Sequence, residues 1–261
     1  MLHSKEDIVQ NWLPRYTGMS LDHFGSYILL TNFEDYLEMF ADMMETEIVG
    51  EGHPMKCVTK DDITMINFTM VSPNAATIMD LLSAVMPKAV LFLGKCGGLK
   101  NNIGLGELIL PIAAIRGEGT SDDYFPKEVP ALPSFNMEKI ISTVIRKYKK
   151  DYRTGIVYST NRRVWEHDEQ FKNYLRQIRA TAVDMETATL FTVGFYNRIP
   201  TGALLMISDQ PMLPDGVKTD RSDKEVTKKF SRRHLLIGIE SLRHIIRTGI
   251  TVKHLRYDYD E

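Results

Sequence analysis

The chain has 261 residues, of which 43% are hydrophobic and 25% charged, and its formal net charge is −2 at pH 7. This balance is ordinary for a globular protein and argues against sequence-independent binding to nucleic acid, which depends on concentrated positive charge. Because two cysteines cannot form a disulfide framework and no apolar run approaches the ~20 residues that span a bilayer, we expect a soluble cytoplasmic protein without nucleic-acid or membrane partners.

Hydrophobic periodicity predicts strands and helices that alternate along the chain. An irregular arm is predicted at 1–20 and a charged tail at 249–261. The predicted strands lie at 26–30, 63–70, 89–93, 107–112, 154–158 and 203–207. The predicted helices lie at 33–45, 72–86, 137–149, 167–177, 185–196 and 224–248. Since no repeat or linker-like composition interrupts this alternation, we expect a single α/β domain over 1–261, with the arm and the tail peripheral.

A glycine-rich segment, GKCGGL, follows the apolar run at 89–93. Its spacing matches neither a Walker loop nor a dinucleotide fingerprint, so one interpretation is simply a tight turn. The other is that the missing side chains let a flat ligand or an anion approach backbone N–H groups. Lys95, inside this predicted turn, is then either solvated or directed at an anion.

Two acidic residues stand at the ends of predicted elements in 181–212. Glu186 lies near the start of a helix, where a carboxylate usually serves as a cap or a dipole partner. Asp209 ends an apolar strand, and the carboxyl ends of strands are where α/β folds usually bind ligands. Trp165 has Arg162 and Arg163 beside it, so a pocket wall is as good an interpretation as a core position.

Several segments together resemble the nucleoside phosphorylase and nucleosidase superfamily. They are VSPNAATI, FLGKCGGL, AIRGEGTSDDY, AVDMETA and SDQP, which fall between residues 63 and 212. GKCGGL and RRVWE are most similar to the branch that hydrolyses AMP. The resemblance implies a mixed, partly barrel-like sheet flanked by helices, a homo-oligomer (a hexamer in that branch) and no cofactor. It also implies a short form, without the N-terminal regulatory domain of the long bacterial members.

The same resemblance assigns roles to individual residues. Asp209 would be the acid at purine N7. General acid catalysis of this kind typically accelerates a reaction by ~10²–10⁴. Glu186 would accept hydrogen bonds from the ribose 2′ and 3′ hydroxyls, with Met185 packing on the sugar. The residues near the base would be Trp165, Cys96, Gly97 and Ser208.

One departure from the superfamily pattern bears on the nucleophile. Phosphorylases of the superfamily hold inorganic phosphate with an Arg and a Ser around the first glycine, and these positions are Phe92 and Lys95 here. We therefore expect hydrolysis of AMP by water rather than phosphorolysis. Candidates for binding the 5′-phosphate are Lys95, Arg116, Arg162 and Arg163. Glu34 is the candidate for activating water, although its TNFED context matches related nucleosidases poorly and it is otherwise a helix-start acid.

Two other functions stay open on the sequence alone. A nucleosidase or phosphorylase acting on an unphosphorylated purine nucleoside would differ in the charge around the 5′ end of the ribose. A non-catalytic nucleotide-binding module on the same fold is a further alternative, against which the presence of both Asp209 and Glu186 argues. No His, Cys and Asp cluster has metal-ligand spacing, so no metal is expected.

Overall fold

A computed structural model describes residues 4–250 and residue 252. Its strands are β1 (Tyr27–Thr31), β2 (Lys56–Lys60), β3 (Ile63–Asn67), β4 (Ala89–Gly98), β5 (Leu108–Gly117), β6 (Tyr152–Thr160), β7 (Ala182–Asp184) and β8 (Thr201–Asp209). Its α-helices are α1 (Lys5–Thr17), α2 (Glu34–Met44), α3 (Ser72–Leu81), α4 (Phe135–Lys147), α5 (Glu169–Gln177), α6 (Thr187–Tyr196) and α7 (Asp220–Thr248). The strands form one sheet in the order β2-β3-β1-β4-β7-β6-β5-β8.

Five of these strands close into a barrel, because β4 pairs with β8 as well as with β7. The pairing of β4 with β8 is parallel, whereas its short pairing with β7 at Gly97 and Gly98 is antiparallel. Outside the barrel, β1 extends the sheet from β4 and is followed by β3 and β2. The expected α/β fold with a mixed, partly barrel-like sheet flanked by helices is confirmed.

The strand β4 is buried at all ten of its positions, which explains its continuous apolar sequence. Val90 and Phe92 face a core cluster that includes residues of α1, α3 and α6. Leu91 and Leu93 face a second cluster, built with α2, α4 and α7. Helices therefore pack against both faces of the sheet at this strand.

The segment 1–20 was predicted to be irregular, and this prediction is wrong. Residues 5–17 form α1, whose N-terminus is closed by a capping box between Ser4 and Asp7. The apolar face of α1 is narrow, with Val9 and Leu13 buried against the core. Because most of the other residues of the helix are polar, its sequence shows no clear helical periodicity. The predicted tail lies outside the described residues at 251 and 253–261, whereas Val252 is buried.

The segment 94–98 was predicted to be a turn, and it is part of β4 instead. Glycine usually weakens a strand. Here an added Cβ at Gly97 would lie 3.1 Å from Pro211 Cγ and 3.2 Å from Val183 Cγ1, so any larger residue would push against these two side chains. The strands β2 and β7 were not predicted. Within residues 4–250 and 252, no helix combines the length and the apolar character that a membrane crossing requires.

Candidate active site

One pocket lies where β1, β4, β6, β7 and β8 end, and its volume is about 180 Å³. The sequence-predicted site residues that line it are Lys95, Cys96, Gly97, Arg162, Arg163, Trp165, Met185, Glu186, Ser208 and Asp209. The pocket lining also includes Asn32, Phe33, Lys218 and Asp223, which the sequence did not single out. Arg116 and Glu34 are not part of the lining.

Glu186 is held at the junction of β7 and α6 and is only 3% exposed. Its Oε1 accepts a hydrogen bond from Val71 N–H at 2.9 Å, and its Oε2 accepts one from Met185 N–H at 3.2 Å. Val71 has a φ of 78°, a strained conformation for a β-branched residue of the kind that clusters at functional sites. Burial, and after it the Asp184 carboxylate, raises the pKa of Glu186 to about 7.

Asp184 has a supporting position behind Glu186. Its carboxylate accepts hydrogen bonds from Ser159 Oγ at 2.6 Å, from Thr187 N–H at 2.8 Å and from the Thr187 hydroxyl. Burial raises its pKa, although these donors oppose the shift. Since all these partners belong to β6 and α6, Asp184 joins the two elements and fixes the start of α6 next to the pocket.

Asp209 ends β8 and lines the same pocket as Glu186. Its Oδ1 accepts a hydrogen bond from Ser208 Oγ at 2.6 Å. Lys218 Nζ lies 3.7 Å from the same oxygen and 3.6 Å from Asp223 Oδ1. Lys218 lies in 215–222, a polar segment without periodicity, and Asp223 lies in the first turn of α7, so the local sequence does not indicate that either residue reaches the pocket.

Lys95 is buried in the pocket wall, with its side chain 2% exposed. Its Nζ donates to Thr227 Oγ1 at 2.7 Å and lies 3.2 Å from Asp223 Oδ1. It also lies 4.3 Å from the centre of the Phe33 ring. Burial lowers the pKa of Lys95, and Asp223 opposes this. The charge of Lys95 is therefore balanced within the protein. The sequence led us to expect Lys95 in a turn, where it would be either solvated or directed at an anion.

The aromatic wall and the exposed cations come from the segment after β6. Trp165 is 4% exposed and packs edge to face on Phe171, with ring centres 5.4 Å apart. Arg162 Nη1 donates to Asp168 Oδ2 at 2.9 Å, and its side chain is 45% exposed. The Arg163 side chain is 61% exposed. Both guanidinium groups thus remain accessible to a ligand anion, unlike the ammonium group of Lys95.

Arg116 and Glu34, two further sequence candidates, lie outside the pocket lining, and both side chains have partners elsewhere. The Arg116 guanidinium is almost fully buried and holds the loop after β5 through the carbonyls of Ser121, Phe125, Pro126 and Val129. Glu34 Oε1 accepts from Lys56 Nζ at 2.9 Å, and its Oε2 accepts from Asn67 Nδ2 at 2.8 Å. A loop or neighbouring-strand partner of this kind cannot be read from local sequence.

The remaining predicted residues form the floor of the pocket. Cys96 is 3% exposed, and burial raises the pKa of its thiol, which keeps it protonated and unreactive. Ser208 acts on Asp209 through its hydroxyl. Among residues 4–250 and 252, no group of three or more His, Cys, Asp or Glu side chains is placed to hold a metal ion.

The fold and this pocket define a class of protein: an α/β barrel-like protein with a pocket at the carboxyl ends of its strands, where such folds usually bind small molecules. Residues 27–246 match the Phosphorylase superfamily. The chain belongs to this superfamily, as its sequence motifs led us to expect.

Individual relatives extend the comparison. The AMP nucleosidase of Escherichia coli (strain K12) is 27% identical over 277 residues, which cover 88% of this chain and 57% of that relative, so the chain spans little more than half of its length. A crystal structure of AMP nucleosidase from Bacteroides thetaiotaomicron VPI-5482 is 54% identical, with a TM-score of 0.85 and coverage of 94% of this chain and 99% of that one. A uridine phosphorylase structure from Vibrio fischeri ES114, 23% identical with a TM-score of 0.76, covers 86% of this chain and 94% of that one and shares the fold.

Proposed function

We propose that this protein hydrolyses the N-glycosidic bond of AMP and releases adenine and ribose 5-phosphate. The observation that carries the proposal is that Asp209 and Glu186, from different elements, line the same pocket beside Trp165. Similarity to two AMP nucleosidases, one of them 54% identical, supports the choice of substrate. The proposal requires no metal and no cofactor.

Asp209 acts on the base in this proposal. Adenine is a poor leaving group until a ring nitrogen is protonated, and Asp209 supplies that proton at N7. Ser208 fixes the carboxyl group through its hydroxyl. Lys218, 3.7 Å from Asp209 Oδ1, stabilises the carboxylate that remains once the proton has left.

Glu186 acts on the sugar. The ribose becomes oxocarbenium-like as the bond breaks, and a carboxylate on its 2′ and 3′ hydroxyls favours that charge and fixes the position of C1′. The N–H groups of Val71 and Met185 already orient the Glu186 carboxylate. Met185, which lines the pocket next to it, packs on the sugar face.

Water is the nucleophile because the positions that hold inorganic phosphate in superfamily phosphorylases are filled here. Phe92 is 1% exposed and packs on Phe68, with ring centres 5.8 Å apart. Lys95 is paired with Asp223 and Thr227. A buried aromatic ring and a lysine with internal partners cannot bind inorganic phosphate at these two positions.

The 5′-phosphate of AMP is bound by exposed cations in this proposal. Arg162 and Arg163 line the pocket, and their side chains are 45% and 61% exposed. A guanidinium can bind a phosphate through two parallel hydrogen bonds. We further propose a homo-oligomer, hexameric as in the superfamily branch that the sequence resembles, so that a neighbouring subunit adds to this end of the site.

An Asp209→Asn variant tests the enzymatic role directly. The variant is expected to bind AMP and to release adenine at least about 10²-fold more slowly than the unmodified protein, since it lacks the acid. Binding is measured by calorimetry and adenine release by chromatography. If the unmodified protein binds AMP and never converts it, the chain is a nucleotide-binding module and the proposal fails.

A further inference from the structure

Asn32 occupies a position in the pocket to which the proposed function gives no role. It follows β1 directly and belongs to the pocket lining. The parallel register of β1 and β4 sets Thr31 opposite Leu93, so Asn32 stands at the level where Lys95 and Cys96 enter the pocket. It therefore lies at the same end of the sheet as the other candidate site residues.

The side-chain oxygen of Asn32 has no hydrogen-bond partner in the described part of the chain. Asn32 Oδ1 is buried and accepts no bond from any residue in 4–250 or from residue 252. A buried acceptor without a donor destabilises a fold, so native proteins keep one mainly where a ligand or a water supplies the donor. In a pocket that binds substrate, this oxygen is therefore a candidate contact for a molecule that enters the pocket.

Asn32 and Glu186 both belong to the pocket lining. The Asn32 side chain acts on the Glu186 carboxyl group as a hydrogen-bonding neighbour that lowers its pKa, against the larger effect of burial. Because a carboxylate can only accept, the NH₂ group is the part of the Asn32 amide that can interact with Glu186. Oδ1 is then left on the other branch of the amide, next to the carboxylate that holds the ribose in the proposed function.

The carboxylates that line the pocket are engaged in other ways. Asp184 and Glu166 accept hydrogen bonds from neighbouring residues. Asp223 lies within 3.6 Å of two lysine ammonium groups. Asp209 and Glu186 serve the base and the ribose. Unlike these carboxylates, the amide oxygen of Asn32 has no partner within the described part of the chain and can accept from a further donor.

We propose that Asn32 Oδ1 accepts a hydrogen bond from the water that attacks C1′ of AMP. This inference rests on the proposed hydrolysis and assigns to Asn32 the part for which Glu34 was the sequence candidate. An amide is too weak a base to remove a proton, so Asn32 is a positioning residue. It orients the water oxygen toward C1′, and correct orientation supplies much of the rate in reactions of this kind.

The chemistry balances without another reactant. The water oxygen forms a bond to C1′ while the C1′–N9 bond breaks. The electron pair of the C1′–N9 bond leaves with adenine. Asp209 donates a proton to N7, and the added water loses one proton to solvent, from which Asp209 is reprotonated. AMP and one water molecule thus give adenine and ribose 5-phosphate.

Asn32→Ala and the volume-conserving Asn32→Leu test this assignment. Both variants are expected to lower kcat for AMP by about 10-fold to 100-fold, with KM little changed, because they misplace the water and leave the substrate contacts intact. Asn101→Ala, at an exposed position, is the matched control and should keep the unmodified kcat. Thermal melting of each variant separates a catalytic loss from a folding loss, and a KM increase without loss of kcat contradicts the inference.

Two further readouts separate water positioning from a role in sugar binding. The loss in kcat should be the same on 2′-deoxy-AMP and 3′-deoxy-AMP as on AMP, whereas an action on a ribose hydroxyl, direct or through Glu186, predicts that the loss disappears on one analogue. In water–methanol mixtures, the variants should form a larger share of the methyl glycoside of ribose 5-phosphate. An unchanged share overturns the inference, while failure of the unmodified protein to release adenine from AMP overturns the proposed function itself.

Discussion

Lys218 Nζ lies 3.7 Å from Asp209 Oδ1, and this contact joins the end of β8 to the segment that leads into α7. Lys218 is itself held by Asp223, 3.6 Å away in the first turn of α7. Asp223 Oδ1 also lies 3.2 Å from Lys95 Nζ. Two cations and two carboxylates therefore alternate around one side of the pocket, and the acid proposed for the base is not isolated.

Replacing Lys218 by Met is expected to lower kcat for AMP. The substitution keeps the length of the side chain and removes the charge that stabilises the Asp209 carboxylate after proton transfer. Loss of a stabilising donor in an active site typically costs ~10²–10³ in kcat, and since this contact is longer than a hydrogen bond we expect about tenfold. Lys228→Met on the exposed side of α7 is the control. Equal rates for the two variants in a steady-state assay would mean that Lys218 does not assist Asp209.

The pH dependence of kcat/KM should follow the ionisation of Glu186. Burial and Asp184 raise its pKa to about 7, and the ionised form is the one that accepts from the ribose hydroxyls. The rate for AMP is therefore predicted to rise with pH up to about 7 and to fall in more acidic buffer. A profile that is flat through this region in the unmodified protein would contradict the role of Glu186.

Ionisation of Glu186 should lower the stability of the fold, although it raises the activity. A carboxyl group whose pKa is raised in the folded state stabilises the fold while it is protonated. The pKa of Glu186 rises from its ordinary value of 4.5 to about 7, so this stabilisation is lost as the pH increases between these two values. Glu186→Gln removes the cost of ionising a buried group, so its melting temperature should exceed that of the unmodified protein above pH 7 while its activity is lower. Melting curves at several pH values measure the difference.

Glu34→Gln is expected to leave kcat for AMP nearly unchanged. Both oxygens of Glu34 are bonded to Lys56 and Asn67, and the side chain lies outside the pocket lining. Since the ion pair with Lys56 is partly exposed, its loss should also cost at most about 1 kcal/mol in stability. A kcat lowered by a factor of 10² or more, typical of losing a general base, would restore Glu34 as the water-activating residue.

The sequence predicted the parts of the site that follow from local pattern. Asp209 stands at the end of a continuous apolar run, which predicts a buried strand, whereas Glu186 was singled out by the resemblance of AVDMETA to the superfamily. Lys218 and Asp223 could not be found, because their positions depend on how a polar loop folds back onto β8. Arg116 is a cation in a matching motif, but its partners are backbone carbonyls that sequence does not show.

The fold, too, was predictable where it follows from local pattern and not where it depends on distant contacts. Alternating strands and helices predicted the α/β class, and the long amphipathic helices were placed to within a few residues. The strand β7 has only three residues, too few to show a period. The glycines of 94–98 suggested a turn, since nothing in the local sequence reveals that Val183 and Pro211 pack where a side chain of residue 97 would lie.

The central claim is tested most directly by the products formed from AMP and from adenosine, each with and without inorganic phosphate. Hydrolysis of AMP predicts fast release of adenine and ribose 5-phosphate from AMP, slow release of adenine from adenosine, and no acceleration by phosphate. Comparable rates on adenosine, or a requirement for phosphate with formation of a sugar 1-phosphate, would contradict the account and indicate a nucleosidase or phosphorylase for unphosphorylated nucleosides.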